Sequence, residues 1–181
     1  MNMISGRILA TLCIICGAMC AAPSFAQASQ SDRLINFSVD AGASTSTSPA
    51  NNWDTATGIS LGLVYRLTNN SGIRLAVEQY KFSGTSTAGT YTRMPIFLGG
   101  RFYFWNFGDI WSHADLGMEM SLDQKSSSAG VANDTQTNVG GAALYGLLYE
   151  ISNHLFMGAD IKIHLNKDKY WSYGIYLGMV F

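Results

Sequence analysis

The chain has 181 residues, of which 48% are apolar and only 13% charged, and its formal net charge is −1 at pH 7. A water-bathed domain normally carries about a quarter charged residues, so a large part of this apolar surface needs a non-aqueous neighbour. Near-neutral charge without a basic patch excludes nucleic acid as an expected partner.

Residues 1–26 read as a signal peptide. Arg7 is their one charge, Ile8 to Ala22 is an apolar run, and Ser24-Phe25-Ala26 places small residues where a signal peptidase reads. Cleavage is expected after Ala26, with Ala28 as the competing site. An apolar run of about 15 residues is too short to span roughly 30 Å of hydrocarbon. A lipoprotein signal is not expected either, because Met19 before Cys20 and Ile15 before Cys16 stand where a small residue is needed. Removal leaves residues 27–181 as one domain. All three cysteines (Cys13, Cys16, Cys20) leave with the peptide, so no disulfide, thiolate metal site or cysteine nucleophile is expected. With Arg7 gone, 10 of the 11 basic residues remain against 12 acidic ones, a balance of −2.

Period-2 alternation then recurs to the end of the chain, broken by polar or Gly-rich turns. It predicts eight strands, at 34–44, 56–67, 72–83, 91–104, 110–123, 136–149, 154–166 and 170–181. No apolar stretch in 27–181 reaches 18 residues, which excludes a transmembrane helix. Thr68-Asn69-Asn70-Ser71, 105–109 and 150–153 are short connections. The segments 44–55, 84–90 and 124–135 are longer and rich in Ser, Thr, Ala, Asn and Gly. The connection at 166–169 breaks this alternation and is expected to be a tight hairpin.

One parity of the strands is apolar: Ile59, Leu61, Leu63, Tyr65 and Leu67; then Met94, Ile96, Leu98, Phe102 and Phe104; then Ala114, Leu116, Met118, Met120 and Leu122; then Leu155, Met157, Ala159, Ile161, Ile163 and Leu165. The other parity collects the charge: Asp40, Arg66, Arg74, Glu78, Arg93, Arg101, His113, Asp115, Glu119, Asp160, Lys162 and His164. Five acids, five bases and two histidines on one face predict a paired charge network, since buried charges persist only when paired and hydrogen-bonded. The sixth strand is ambiguous, because 140–146 is small or apolar on both faces. Pro95 cannot donate to a ladder, so a bulge or local disruption is expected there. Aromatic girdles are expected from Tyr65, Trp105, Phe107, Trp111, Tyr149 and Phe181 at one end and Trp53, Tyr91, Tyr170 and Trp171 at the other.

Several site readings fail on the residues. Gly99-Gly100, Gly140-Gly141 and Gly146 lack the Lys-Ser/Thr ending and following helix of a phosphate loop. His113, Asp115 and Glu119 fall at i, i+2 and i+6 of one strand, too spread to hold one metal ion. His113, Asp115 and Ser121 share a face, and an interior network is the expected reading.

The last strand places Trp171, Tyr173, Ile175, Leu177, Met179 and Phe181 on one wholly apolar face. Such an ending resembles the C-terminal assembly signal of outer-membrane β-barrels, with Tyr173 and Phe181 as its marks. Together with eight strands, alternating connections and a charged interior, residues 27–181 resemble the small outer-membrane barrel superfamily of the OmpA transmembrane domain, OmpX and Ail. The resemblance implies an all-β fold: an eight-stranded antiparallel up-and-down transmembrane β-barrel after an N-terminal signal peptide, integral to the outer membrane of a Gram-negative cell. It also implies outer-membrane lipid, lipopolysaccharide and the barrel-assembly machinery as partners, and it names no external ligand. Members of the superfamily differ widely in role. The expected function is structural or surface-interacting, with a closed lumen, no enzyme activity, no cofactor and no metal. The alternatives are a barrel that binds lipopolysaccharide or modifies lipid A, and a small pore. Ile163-His164-Leu165-Asn166 is similar in place to the His-x-Ser motif of PagL-type lipid A deacylases. Asn166, however, stands where the nucleophilic serine would be, no Glu follows, and an amide cannot replace a hydroxyl activated by histidine.

Overall fold

All eight alternating segments form strands. The computed structural model describes residues 37–48, 54–84, 89–126 and 134–181. The strands are β1 (Phe37–Ser46), β2 (Ala56–Thr68), β3 (Ser71–Ser83), β4 (Thr90–Phe107), β5 (Ile110–Ser126), β6 (Asp134–Ser152), β7 (Leu155–Leu165) and β8 (Tyr170–Val180). Each pairs antiparallel with its chain neighbours, and β1 pairs with β8, which closes the barrel. Tight turns at 69–70, 108–109 and 153–154 gather at one end with Phe37 and Phe181; this is the turn end. The remaining connections lie at the opposite, loop end. The expected signal peptide, the start of the first predicted strand (34–36) and Trp53 lie outside the described residues.

The strand β4, β5 and β6 bounds exceed the predicted ones, at 18, 17 and 19 residues. Polar flanks such as Gln124, Lys125 and Gln136 continue the ladder between β5 and β6. Charge and hydroxyl content hide a strand from an apolar count but do not stop its backbone from pairing.

Inward and outward faces follow the pleat. In β6 the outward set is Val139, Tyr145, Leu147 and Tyr149, and Ala142, Leu144, Gly146 and Leu148 point inward. Three aromatics expected in the girdles face inward instead. Tyr91 and Tyr170 are each 2% exposed, and Trp111 packs against Leu148, Phe156 and Tyr176. Their parity, shared with Arg93, Ser172 and His113, overrides their place near strand ends. Tyr65, Trp105, Phe107, Tyr149, Trp171 and Phe181 remain outside.

Register shifts between Arg66 and Thr68, between Tyr103 and Trp105, and between Glu150 and Ser152 each leave one extra residue beside a tight turn. The extra residues are Leu67, Phe104 and Ile151, all exposed apolar side chains. Bulges at a barrel rim bend the strand and re-aim side chains; here they add apolar surface to the outside of the turn end. Pro95 produces no register shift. The β3–β4 ladder loses the pairs at Glu78 and Gln79 and resumes in the same register at Tyr80↔Arg93.

Inward glycines make room for large side chains from neighbouring strands. A Cβ on Gly146 would stand 2.7 Å from the His113 ring, and one on Gly58 would stand 2.6 Å from Tyr80 and 2.5 Å from the Gln79 carbonyl.

Candidate functional site

The barrel interior holds most of the charge, arranged in three tiers along β5. Asp115, Glu119 and Asp123 recur every fourth residue on its inner face, roughly 13 Å apart at each step, with Gly117 and Ser121 between them. Asp115 and Asp123 pair with Arg101 and Arg93, their direct neighbours on β4, while Arg74 of β3 and Lys162 of β7 reach Asp115 and Glu119 from further round the barrel.

In the tier nearest the turn end, Arg101 donates from Nε and Nη2 to the two oxygens of Asp115 at 2.8 and 2.9 Å. Arg74 Nη1 donates to Asp115 Oδ2 at 2.9 Å, and its Nη2 reaches Asp40 at 3.4 Å. Asp160 stands 4.0 Å from Arg74. His113 Nδ1 lies 3.4 Å from Asp115 Oδ1 without hydrogen-bond geometry, while its Nε2 sits 2.9 Å from the Tyr176 hydroxyl. In the middle tier, Lys162 Nζ bridges Glu78 at 3.0 Å and Glu119 at 2.8 Å. His164 Nδ1 and Asn166 Nδ2 meet Glu119 at 2.8 and 2.9 Å, and Tyr80 donates to Glu78 at 3.1 Å. In the loop-end tier, Arg93 forms a two-bond fork with Asp123 at 2.8 and 2.7 Å and touches Asp168 at 3.3 Å. Asn138 donates to Asp123 at 2.7 Å.

Aromatic and apolar side chains fill the gaps. Phe97 lies beneath Lys162, 5.2 Å from its ammonium. Tyr80, Phe82 and Tyr91 cluster at the loop end, where Arg93 lies over Tyr91 and Tyr170. Leu148, Phe156 and Tyr176 close the turn end. Outside that cluster an open notch, about 570 Å³ counting the solvent at its mouth, is lined by Arg66, Trp111 and Glu150 among others.

Of the twelve charged residues singled out from parity, eleven fall in these tiers. Arg66 stands apart at the turn-end mouth, 4.4 Å over the Tyr103 ring. Alternation also missed members of the network. Asp123 shares the parity of Asp115 and Glu119 and was legible on that ground. Asp168 lies in the hairpin between β7 and β8, where parity gives no guidance; Asn166, which ends the predicted seventh strand on the parity of Lys162 and His164, carries no charge to mark it, and neither do Asn138 and Ser172.

One arrangement has the connectivity of a nucleophile, base and acid. Ser172 Oγ is 2.9 Å from His164 Nε2, and His164 Nδ1 is 2.8 Å from Glu119. Ser172 is 3% exposed. Tyr170 stacks on the His164 ring with centroids 3.9 Å apart, and Glu119 is shared with Lys162 and Asn166. A nucleophile needs room for an acyl group beside it. Ser172 is instead enclosed by the network it belongs to.

Residues 12–181 match the family model described as outer membrane protein beta-barrel domain. No curated protein sequence matches the chain. Three solved structures share the architecture. Neisserial surface protein A superposes with a TM-score of 0.63 at 17% identity, covering 81% of this chain and 97% of that one. OprG of Pseudomonas aeruginosa gives 0.62 at 16%, covering 80% and 95%. Ail, the attachment invasion locus protein of Yersinia pestis, gives 0.60 at 16%, covering 80% and 97%. At these identities the likeness is one of fold.

Proposed function

Because the chain belongs to the outer membrane protein beta-barrel family and is an integral protein of the outer membrane, we propose that it is a closed, non-conducting barrel with a structural or surface-interaction role. By the rule that short turns face the periplasm, its turn end is periplasmic and its loop end external. The observation that carries the reading is the filled interior. Eight strands enclose only enough width for side chains or one small ligand, and here three ion-paired tiers and two aromatic clusters occupy it. Chemistry and conduction through the lumen both need space that these side chains take. The remaining working surfaces are the outer wall and the external rim. Export by a signal peptide over residues 1–26 and insertion by the barrel-assembly machinery, reading Tyr173 and Phe181 on the last strand, complete the proposal.

Planar-bilayer recording of the purified protein tests it. A baseline without stable steps is the expected result. Reproducible conductance of fixed size would overturn the closed-lumen reading and promote the small pore.

A further inference from the structure

The packed interior stops short of its turn-end mouth. There the open notch of about 570 Å³, counting the solvent at its entrance, reaches in as far as Leu148 and Phe156 of the cluster that closes the turn end. With Val64 these give it a buried apolar floor. Arg66, Tyr103 and Trp111 also line it. Among the described residues no carboxylate pairs with Arg66. Its guanidinium carbon lies instead 4.4 Å from the Tyr103 ring centroid and 5.7 Å from that of Trp111, and the two rings meet edge to face at 6.4 Å. Trp111 Nε1 is buried without a hydrogen-bond acceptor among the described residues. Leaving a buried donor unpaired is costly, so an acceptor is what this donor lacks.

All three turn-end bulges open onto the notch. Arg66, Tyr103 and Glu150 are the last residues before the extra one on β2, β4 and β6, and all three line it. Bulges beside binding sites re-aim side chains. Strands far apart round the barrel thus bring a cation, an aromatic face and a carboxylate to one mouth. An apolar hollow with a few convergent polar groups is the usual form of a small-molecule site.

We propose that the notch binds a small carboxylic acid with an apolar body, entering from the periplasm. The carboxylate takes Arg66 as its counter-ion and accepts the indole N–H of Trp111. The apolar body lies on Val64, Leu148 and Phe156. One cation matches one negative charge, whereas a phosphate monoester would bring a second charge into a notch that already holds Glu150. Eight strands leave room for side chains or one small ligand; side chains take the centre, and the ligand takes the mouth. The site goes beyond the closed-barrel reading and does not depend on it, so conductance through the lumen would leave it standing.

Trp111 reports on the site directly. The protein carries four tryptophans, and in nanodiscs with nitrogen-15 label the variant Trp111→Phe identifies the Trp111 indole resonance. Titration with phenylbutyrate should shift that resonance saturably and leave Trp105 and Trp171, both on the outer wall, in place. Phenylbutyramide, the neutral analogue, should bind about tenfold more weakly. Arg66→Gln should lose phenylbutyrate affinity by a similar factor, and Arg66→Lys should recover part of it. Glu150→Gln should bind phenylbutyrate at least as tightly as wild type. No saturable shift, or tryptophan resonances that all move together as the acid enters the bilayer, would sink the site. Equal affinity for acid and amide, or unchanged affinity in Arg66→Gln, would overturn the carboxylate contact. Weaker binding in Glu150→Gln would overturn the assignment to a monocarboxylate, because it would put the Glu150 carboxylate among the ligand's contacts. Should gel mobility show that Arg66→Gln does not fold, acid against amide on wild type still decides the matter.

Discussion

Asp115 shows how one side chain organises its surroundings. Its two oxygens accept both Arg101 bonds and one from Arg74, and His113 lies against them. Replacing it with Ala leaves two guanidinium groups buried beside each other without their shared counter-ion. Breaking a buried pair in this way costs about 3–5 kcal/mol. Urea unfolding of Asp115→Ala, followed by folded-form gel mobility, should show a loss of that size; a loss under about 1 kcal/mol would mean the pair is solvent-screened. Glycines give a second test through contrast. Gly146 faces inward beneath the His113 ring, whereas a Cβ on outward Gly141 meets only the Gly117 carbonyl at 3.6 Å. Gly146→Ala should destabilise by about 1–3 kcal/mol through overpacking, and Gly141→Ala should be near neutral. Equal effects would show that His113 moves aside freely. At this scale parity told which charges point inward, because side chains alternate strictly along a strand. It did not tell that Arg74 reaches Asp115 or that Lys162 bridges Glu78 and Glu119 across the lumen. Partner choice across a lumen depends on strand stagger and tilt, which no single strand encodes.

Elements were legible where the apolar alternation is clean and less so where it fades. β2, β3 and β8 were placed within a residue or so at each end, whereas β4 and β6 run several residues further because backbone pairing outlasts the apolar pattern. The three rim bulges had no sequence mark. Leu67 and Phe104 read as ordinary members of the alternation and Ile151 as part of a connection, and only the tight turns beside them force the extra residue outward. Pro95 was legible in kind, since its ring removes a donor whatever the fold. Restoring that donor has a local consequence. In Pro95→Ala the new amide should bond the Glu78 carbonyl and exchange slowly with deuterium, with stability raised by about 0.5–1.5 kcal/mol. An amide at 95 that exchanges as fast as the loops would show that β3 and β4 are held apart by something other than the proline. The last strand carries a different expectation. Phe181 donates its backbone N–H to the Phe37 carbonyl at 2.9 Å, and the two rings lie 6.3 Å apart, so it fastens the β1–β8 seam as well as ending the proposed assembly signal. A chain ending at Val180 should insert into the outer membrane in lower yield than Phe181→Ala, which keeps the backbone bond. Undiminished yield from both would remove Phe181 from the assembly signal.

For the whole molecule, the closed sheet follows from solvent. An open edge in hydrocarbon would leave unpaired backbone groups at several kcal/mol each, so alternating strands in a lipid phase must close on themselves. Low charge content and eight alternating strands are the sequence marks of such a closed sheet. The interior behaves differently, because its blockage is divided among tiers stacked along the axis. Arg93 with Asp123, Lys162 with Glu119, and Arg101 with Asp115 lie at successive depths. Obstacles in series must all be removed before ions pass. Arg93→Ser opens the loop-end tier alone, at the position least enclosed by other cations, and leaves Lys162, Phe97 and Arg101 in place below it. Its bilayer baseline should therefore remain as quiet as wild type. Arg93→Ser combined with Lys162→Ser and Arg101→Ser, if gel mobility shows it folded, should also stay quiet, because Leu148, Phe156 and Tyr176 still close the turn end. Steady conductance from Arg93→Ser by itself would mean that one external tier is the whole barrier and that the lower side chains leave a continuous water path.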